Sequence, residues 1–304
     1  MKAAVIPTVA ATSVMEQAQL IAERVGGELA LQVRPFASYD VVVIIGPPNA
    51  GFEAACKIRA AHRVCYWIVE GILTSLGRRR ARKCGCGLSI VPSLAARQWM
   101  EESDVHVDYI VPHEIVPPLV MAGRNRRAVY IAGNYPRKWM PWALSTLELA
   151  REVLDAFYRD EVPDAYAAEL NRRLEMLGVK RLARTGKQEL YSLMANYGTF
   201  ASLSSGEGFG LFQREALAMG MNLVTVRHEA FWDVLAHPCV HSVNYYDVAY
   251  YRGPRDDVYE EYRAWSPQEY VEALHRALER PCDRPLVPRP HYNFLRTLIY
   301  ELLH

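Results

Sequence analysis

The chain has 304 residues, of which 51% are hydrophobic and 23% charged, the balance of a globular protein with apolar material for two cores rather than a disordered or fibrous one. Thirty-five Lys and Arg against 34 Asp and Glu leave a formal charge of +1, which excludes a surface built wholly for nucleic acid, so no nucleic-acid partner is expected. No stretch approaches the roughly 20 consecutive apolar residues that cross a bilayer, and no basic segment followed by an apolar run opens the sequence, so the expectation is a cytoplasmic protein.

In chain order, Ala3 to Ile6 predicts a strand, and Val14, Ala18, Ile21 and Val25, spaced by three and four, predict a helix that stops at Gly26-Gly27. Val41 to Gly46 is apolar throughout, the mark of a strand covered on both faces, as in a parallel sheet. A helix from about Asn49 to Ala61, strands over Val64 to Val69 and from Leu88, a helix near Ser93 to Glu102 and a strand near Val107 to Val111 continue the alternation of a doubly wound α/β domain. Pro112 to Arg127, with Pro112, Pro117, Pro118, Gly123 and Arg124, breaks regular structure, and the domain boundary is expected there, between residues 122 and 123.

Alternation resumes with a strand at Val129 to Gly133, a long helix to about Tyr158, a helix near Gln188 to Asn196 and a strand from Thr199 to Leu203. A helix around Leu211 to Met219 and strands at Asn222 to Val226 and near Val240 to Val243 follow. Ser266-Pro267-Gln268-Glu269 combines a capping box with proline at the first helical position, and Tyr270, Leu274, Ala277 and Leu278 share the face of the helix it opens. Phe294, Leu298, Ile299 and Leu302 predict a terminal amphipathic helix. The expected organisation is one α/β domain over residues 1–122, a second over 123–285, and a helix in 286–304.

The six cysteines are scattered through a long chain and read as reduced thiols. Cys84-Gly85-Cys86 suits a metal in type, yet a tetrahedral zinc ion takes four ligands and no second pair stands at a matching spacing, so no metal is expected. Gly77 to Lys83, with five cations (Arg78, Arg79, Arg80, Arg82, Lys83) in its last six positions, reads as an exposed loop. Simple solvation accounts for it; the sharper reading is an anion-binding, acceptor-side segment contacting acidic headgroups or a phosphorylated acceptor.

The richest stretch is Thr199 to Val226, where Ser204-Ser205-Gly206-Glu207-Gly208-Phe209-Gly210 lies between a strand and a helix carrying Glu215. Small residues at a helix start let a ligand approach the backbone, and the amides and helix dipole there favour phosphate. Glu207-Gly208-Phe209-Gly210-Leu211 followed by Glu215-Ala216-Leu217-Ala218-Met219-Gly220 resembles the donor-site signature of retaining glycosyltransferases of the GT-B fold, in the large family 4.

That resemblance implies two Rossmann-like doubly wound domains facing a cleft, with the C-terminal helix packing back on the first domain. It implies a hexosyltransferase-like enzyme that uses a nucleotide sugar, a UDP- or GDP-sugar, as co-substrate, retains the anomeric configuration and needs no cofactor or metal. Glu207 would lie beside the transferred sugar, the amides around Gly208, Phe209, Gly210 and Leu211 would face sugar and phosphate, and Glu215 would accept hydrogen bonds from the ribose. Gly133-Asn134-Tyr135-Pro136-Arg137-Lys138 resembles the segment that meets the donor diphosphate, with Lys138 as the family lysine and Arg137 as substitute for an arginine usual near Asn134. Where the family often has a histidine facing the reacting sugar, this sequence has Glu70, either orienting a hydroxyl or serving as a structural carboxylate. His113 reads as a core or hinge residue. The acceptor is left open among glycan, lipid and protein, with peripheral contact at an anionic membrane surface as one partner class. The alternative is a noncatalytic protein of the same fold acting as a nucleotide-binding or membrane-assembly partner.

Overall fold

The computed structural model describes residues 2–31, 38–116, 120–123, 125–161, 164–183, 186–252 and 257–303; Pro117, Pro118 and Arg124 of the expected boundary lie outside them. The chain divides into two compact units, the first Met1–Glu114 with Tyr250–Glu261 and Arg289–His304, the second Ile115–Ala249 with Tyr262–Pro288. Each is a mixed α/β body around a parallel sheet. Among the described residues no helix is long and apolar enough to cross a membrane.

In unit one, β1 (Ala3–Pro7), β2 (Glu28–Leu29), β3 (Ser38–Gly46), β4 (Arg59–Trp67), β6 (Leu88–Val91) and β7 (Tyr109–Ile110) form a sheet in the order β2-β1-β3-β4-β6-β7. A short strand β5 (Gly71–Leu73) lies outside it, paired antiparallel with Val258–Glu260. Alternate residues of each strand supply opposite faces, so Val5, Val43, Val64 and Ile90 meet α1 (Thr12–Val25) in one core. On Trp67 the ring of Phe52, from α2 (Ala50–Ala55), stacks at 4.2 Å between centroids. α1 ends as its glycines predict, at Gly26 in the left-handed region with φ 68°.

The C-terminal helix α10 (Tyr292–Leu303) belongs to unit one: Tyr292, Leu295, Leu298 and Ile299 complete the α1 core. Its first turn is held by polar groups. The Glu114 carboxylate accepts from the Tyr292 amide at 2.7 Å, the Tyr292 hydroxyl bonds Gln17, and His113 Nδ1 lies 3.0 and 3.1 Å from the hydroxyls of Tyr66 and Tyr292. Burial pushes the Tyr292 hydroxyl well above its ordinary pKa, so it stays a neutral donor. His113 is a buried core residue, 4% exposed.

In unit two, β8 (Ala128–Gly133), β9 (Leu154–Arg159), β10 (Lys180–Leu182), β11 (Thr199–Ser202), β12 (Asn222–Val226) and β13 (Val240–Val243) run in the order β10-β9-β8-β11-β12-β13. This is the doubly wound order in which the chain builds outward from β8, then returns to add β11 on its other side. Ala128, Tyr130, Ala201 and Val224 pack with α5 (Pro141–Ala150) and α9 (Pro267–Glu279) on one face; Val129, Ile131, Phe200 and Leu223 pack with α7 (Lys187–Met194) and α8 (Leu211–Ala218) on the other. α6 (Asp164–Met176) joins β9 to β10. Ser266 caps α9 as expected, its hydroxyl accepting from the Glu269 amide at 3.3 Å.

Four sequence expectations are corrected. The helix expected to Ala61 ends at Ala55, because Arg59 to Trp67 pairs along the whole of β3, from Ser38 opposite Arg59 to Gly46 opposite Trp67. The long helix to Tyr158 stops at Ala150, and Leu154–Arg159 is a central strand between β8 and β10. The basic loop is a helix, α3 (Ser75–Lys83), capped by Thr74. Its repulsion is offset by carboxylates from other elements: Arg78 and Arg82 reach Asp104 at 3.3 and 3.1 Å, while Arg80 and Lys83 reach Glu53 at 3.7 and 3.2 Å. The Lys83 hydrogen bond holds the Glu53 carboxyl below its ordinary pKa.

The fourth correction concerns the thiols. All six cysteines are paired, as Cys56–Cys84, Cys65–Cys86 and Cys239–Cys282, with Cα separations of 5.1, 5.8 and 5.3 Å. Sequence separations of 28, 21 and 43 residues gave no local sign of the pairing, which the sheet topology creates.

The buried Leu295 tests the docking of α10. Leu295→Ala is expected to lower stability by about 2–5 kcal/mol through lost contacts and a cavity, read as a fall in the urea midpoint. An unchanged midpoint would mean that α10 is not part of the core in solution.

Candidate active site

In unit two the strand order reverses between β8 and β11, and ligands of open α/β sheets bind beyond the C-terminal ends of strands at such a reversal. Two loops leave the sheet there, Asn134 to Met140 after β8 and Leu203 to Gly210 after β11. Both carry sequence-predicted site residues.

The first loop is held at both ends. Trp139 Nε1 donates to the Gly133 carbonyl at 2.8 Å, and the Tyr130 hydroxyl donates to the Lys138 carbonyl at 2.7 Å across a single 3-10 turn, Pro136–Lys138. Burial raises the Tyr130 hydroxyl well above its ordinary pKa, with Glu207 adding to the shift. Asn134 is fully buried; its side chain accepts from the Glu161 amide at 2.9 Å and donates to Asn171 at 3.2 Å, so it fastens the loop to the strand β9 exit and α6. The second loop is tied to the first by the Ser205 amide, which donates to the Arg137 carbonyl at 3.2 Å, and by Trp142 Nε1, which donates to Ser205 Oγ at 2.9 Å.

This stitching brings Lys138 against Glu207. Lys138 Nζ pairs with Glu207 Oε1 and donates to Ser204 Oγ at 2.8 Å, while Gln213 Nε2 reaches the same Glu207 oxygen at 3.2 Å and Ser202 Oγ at 2.8 Å. The two charged side chains are only 14% and 13% exposed, so their attraction is weakly screened. Arg137 is buried, its guanidinium 5.7 Å from the Tyr135 ring centroid.

The helix start is fixed from below by a residue the sequence reading passed over. Arg214, 1% exposed, donates to the carbonyls of Phe209, Gly210 and Ala230, pairs with Asp233, and lies 3.7 Å over the Phe209 ring. Burial lowers its pKa, and Asp233 opposes that shift. With the carbonyls of Phe209 and Gly210 engaged, Gly210 begins α8 at φ 76°, where a Cβ would collide with the Phe231 ring. Gly208 and Phe209 are buried in this turn, and Leu211 is the first residue of α8.

Glu215 lies on α8 at 1% exposure, with Lys187 Nζ 2.5 Å from its Oε1. Lys187, Gln213 and Arg214 belong to this cluster without having been singled out in the sequence, where Ser204 stood only as one residue of the glycine-rich turn. A lysine at the start of α7 has no motif; only the topology sets it beside a buried carboxylate. Gln213 and Arg214 stand inside the motif at positions that identity-based matching skips.

The remaining candidates are in unit one. Glu70 lies half-buried in the bend between β4 and β5, its carbonyl accepting from the Glu261 amide at 3.2 Å. Ser75, Arg78, Arg79, Arg82 and Lys83 line a surface hollow of about 530 Å³ on α3.

No protein-family model and no curated protein matches the chain. Solved structures do. HepE of Anabaena, in complex with UDP and glucose, aligns over 100% of this chain and 99% of its own at a TM-score of 0.69 and 14% identity. Sucrose-phosphate synthase of Thermosynechococcus elongatus aligns over 100% and 96% at 0.65 and 11%. AviGT4, a glycosyltransferase of avilamycin A biosynthesis, aligns over 100% and 97% at 0.55 and 12%. The fold is GT-B. At these identities the likeness is one of fold, and in GT-B terms the described site occupies the strand-order reversal of the second sheet.

The Lys138–Glu207 pair can be tested without a substrate. Lys138→Met and Glu207→Gln should each destabilise this GT-B protein, and the double variant should cost less than their sum, with a coupling of about 0.5–3 kcal/mol in urea unfolding. Additive losses would mean that the pair does not form in solution.

Proposed function

We propose that this GT-B protein is a retaining glycosyltransferase that moves a hexosyl group from a UDP- or GDP-sugar to an acceptor hydroxyl without a metal ion. The observation that carries the reading is Lys138 set against Glu207 at the strand-order reversal, beside a glycine-started helix. The binding of UDP and glucose by HepE supports a UDP-sugar donor. In this reading residues 1–122 form the acceptor domain, 123–285 the donor domain, and 286–304 the returning helix.

The donor diphosphate would take Lys138 and Arg137 as counter-charges and meet the α8 start at Gly208 to Leu211, where amides and helix dipole favour anions. Diphosphate competes with Glu207 for Lys138, so donor binding turns Glu207 toward the sugar hydroxyls. Glu215 accepts from the ribose hydroxyls alongside Lys187, a carboxylate offering two acceptor oxygens to a diol. Gly133 and Asn134 hold the loop that presents Lys138.

For the transfer, the acceptor hydroxyl attacks the anomeric carbon from the face the diphosphate leaves. The bond from that carbon to the phosphate oxygen breaks, a bond to the acceptor oxygen forms, and the hydroxyl proton passes to the departing phosphate. The negative charge that builds on the leaving group is stabilised by Lys138 and Arg137, fixed in place before the reaction by the two stitched loops. Glu70 orients the acceptor hydroxyl or the sugar. The acceptor is a glycan, lipid or protein, and the cations of α3 suit an acidic acceptor or peripheral contact with an anionic surface. The reading keeps the protein in the cytoplasm, although the disulfides remove one support for that assignment, the expectation of reduced thiols.

Thermal unfolding with UDP-, GDP- and ADP-sugars tests the donor site. One nucleotide class at about 100 times its Kd should stabilise the protein by about 2.7 kcal/mol. Glu215→Gln should reduce that gain. Product analysis by NMR should then show the donor's anomeric configuration in the glycoside. Stabilisation by no nucleotide sugar would overturn the enzyme reading in favour of a noncatalytic GT-B protein, and an inverted product would overturn retention alone.

A further inference from the structure

Four of the six cysteines meet at one place in unit one. Cys56 follows α2 and Cys65 lies in β4; Cys84 caps the C-terminus of α3 and Cys86 precedes β6. Each disulfide takes one cysteine from each pair, Cys56 with Cys84 and Cys65 with Cys86. The sulfurs of Cys65, Cys84 and Cys86 all lie within 4.8 Å of one another, and those of Cys65 and Cys84, which are not bonded, are 3.9 Å apart. Cys56 Sγ is bonded to Cys84 Sγ, so all four sulfurs share one small volume.

Stapling alone does not account for this arrangement. A disulfide stabilises by closing a loop in the unfolded chain, and a second bridge between the same two segments closes little that the first has not. The Cys239–Cys282 bridge of unit two, by contrast, stands alone. Three of the sulfurs lie within 4.8 Å of one another and the fourth, Cys56 Sγ, is bonded to one of the three. A tetrahedral zinc ion with bonds of about 2.3 Å sets its sulfurs about 3.8 Å apart, a spacing the four thiolates can take once the two bridges are opened.

The surroundings fit the charge of such a centre. Zinc with four thiolates carries a net charge of −2, and α3 places Arg78, Arg79, Arg80, Arg82 and Lys83 in the residues just before Cys84, with Lys57 next to Cys56. Among the described residues Glu53 and Asp104 pair with Arg78, Arg80, Arg82 and Lys83, and an anionic centre at the end of α3 would add a further counter-charge to this helix. Gly85, at φ 64°, makes the tight turn that sets the Cys84 and Cys86 sulfurs side by side. Cys65 and Cys84 are buried, whereas Cys56 and Cys86 are partly exposed and give an ion a way in.

We propose that Cys56, Cys65, Cys84 and Cys86, when reduced, hold one zinc ion in a tetrahedral all-sulfur site, and that the two disulfides are the oxidised form of the same site. Reduction consumes two equivalents of a dithiol: each protein disulfide takes two electrons and two protons, and each dithiol becomes a disulfide. Zinc then displaces up to four thiol protons as the thiolates bind it. In the reverse direction, two equivalents of a disulfide oxidant take four electrons from the thiolates, two protein disulfides form, and zinc is released. The site is independent of the transferase reading, because its ligands are all in unit one, whereas the β8–β11 reversal belongs to unit two.

The experiment is zinc uptake by the full chain. Protein is reduced anaerobically with excess dithiol in the presence of zinc, freed of reductant and unbound metal, and assayed for metal per chain by mass spectrometry. One zinc per chain is expected for the reduced wild type and for the Cys239→Ser/Cys282→Ser control, and none for the oxidised wild type. Cobalt in place of zinc should give the absorption of a tetrahedral thiolate complex, lost in Cys84→Ser. Alkylation mapping on the wild type needs no variant to fold: zinc should protect these four thiols and leave Cys239 and Cys282 reactive. Reduced protein that takes up no more zinc than Cys84→Ser, or four thiols alkylated equally with and without zinc, would overturn the proposal.

Discussion

The arrangement of unit two follows from one topological constraint, the return of the chain to the inner edge of β8 after β10. Once β11 pairs with β8 through Thr199 and Phe200, the loops that leave these two strands emerge side by side at the same end of the sheet. The Ser205 amide then donates to the Arg137 carbonyl, and the Trp142 indole donates to the Ser205 hydroxyl, two bonds that set the height of each loop over the sheet. A lysine and a glutamate 69 residues apart therefore become partners through short, rigid connections rather than through long flexible side-chain reach. The same ordering leaves little reorganisation for the pair itself, since both loops are already held by their own hydrogen bonds.

Arg214 illustrates the cost of holding such a site open. A buried guanidinium is unfavourable unless its donors are satisfied, and this one is surrounded by three carbonyls, a carboxylate and the Phe209 ring. Its position fixes the carbonyls of the glycine-rich turn toward the protein interior. The geometry of the glycine-rich turn therefore depends on a side chain outside the turn itself. Unit one satisfies a comparable buried polar cluster with hydrogen bonds, where Gln17, Tyr66, His113 and Tyr292 lie within bonding distance of one another beside Glu114 and seat α10 on α1.

What was legible in the sequence was what apolar periodicity and punctuation control. The run from Val41 to Gly46, the glycine stop at Gly26 and the Ser266-Pro267 start were each read correctly, because each is decided within a few residues. Leu154 to Arg159 was misread because no proline or glycine separates it from α5, and an apolar run after a helix fits either state until a sheet with vacant edges on both sides claims it. The strands Tyr245–Arg252 and Val258–Trp265 were missed for a related reason, since their tyrosines suit exposed strand and packed helix equally. Within the site, the glutamates, Lys138 and the turn that begins at Ser204 were visible as a motif, while Lys187 was visible only as a neighbour in space.

The cysteines show most sharply how spacing misleads. A zinc knuckle is normally sought as two close pairs, and here only Cys84-Gly85-Cys86 is close; Cys56 and Cys65 stand nine residues apart, too far for a knuckle and too near for separate elements by eye. The structure makes them a pair by ending α2 early and starting β4 at Arg59, so that the strand carries Cys65 back toward the residue that closed the helix. The misplaced end of one helix thus concealed both the disulfide pairing and the four-sulfur cluster. It also bears on the basic stretch: cations that look self-repelling along the sequence reach, once α3 forms, the carboxylates of Glu53 and Asp104, which other segments bring to the helix.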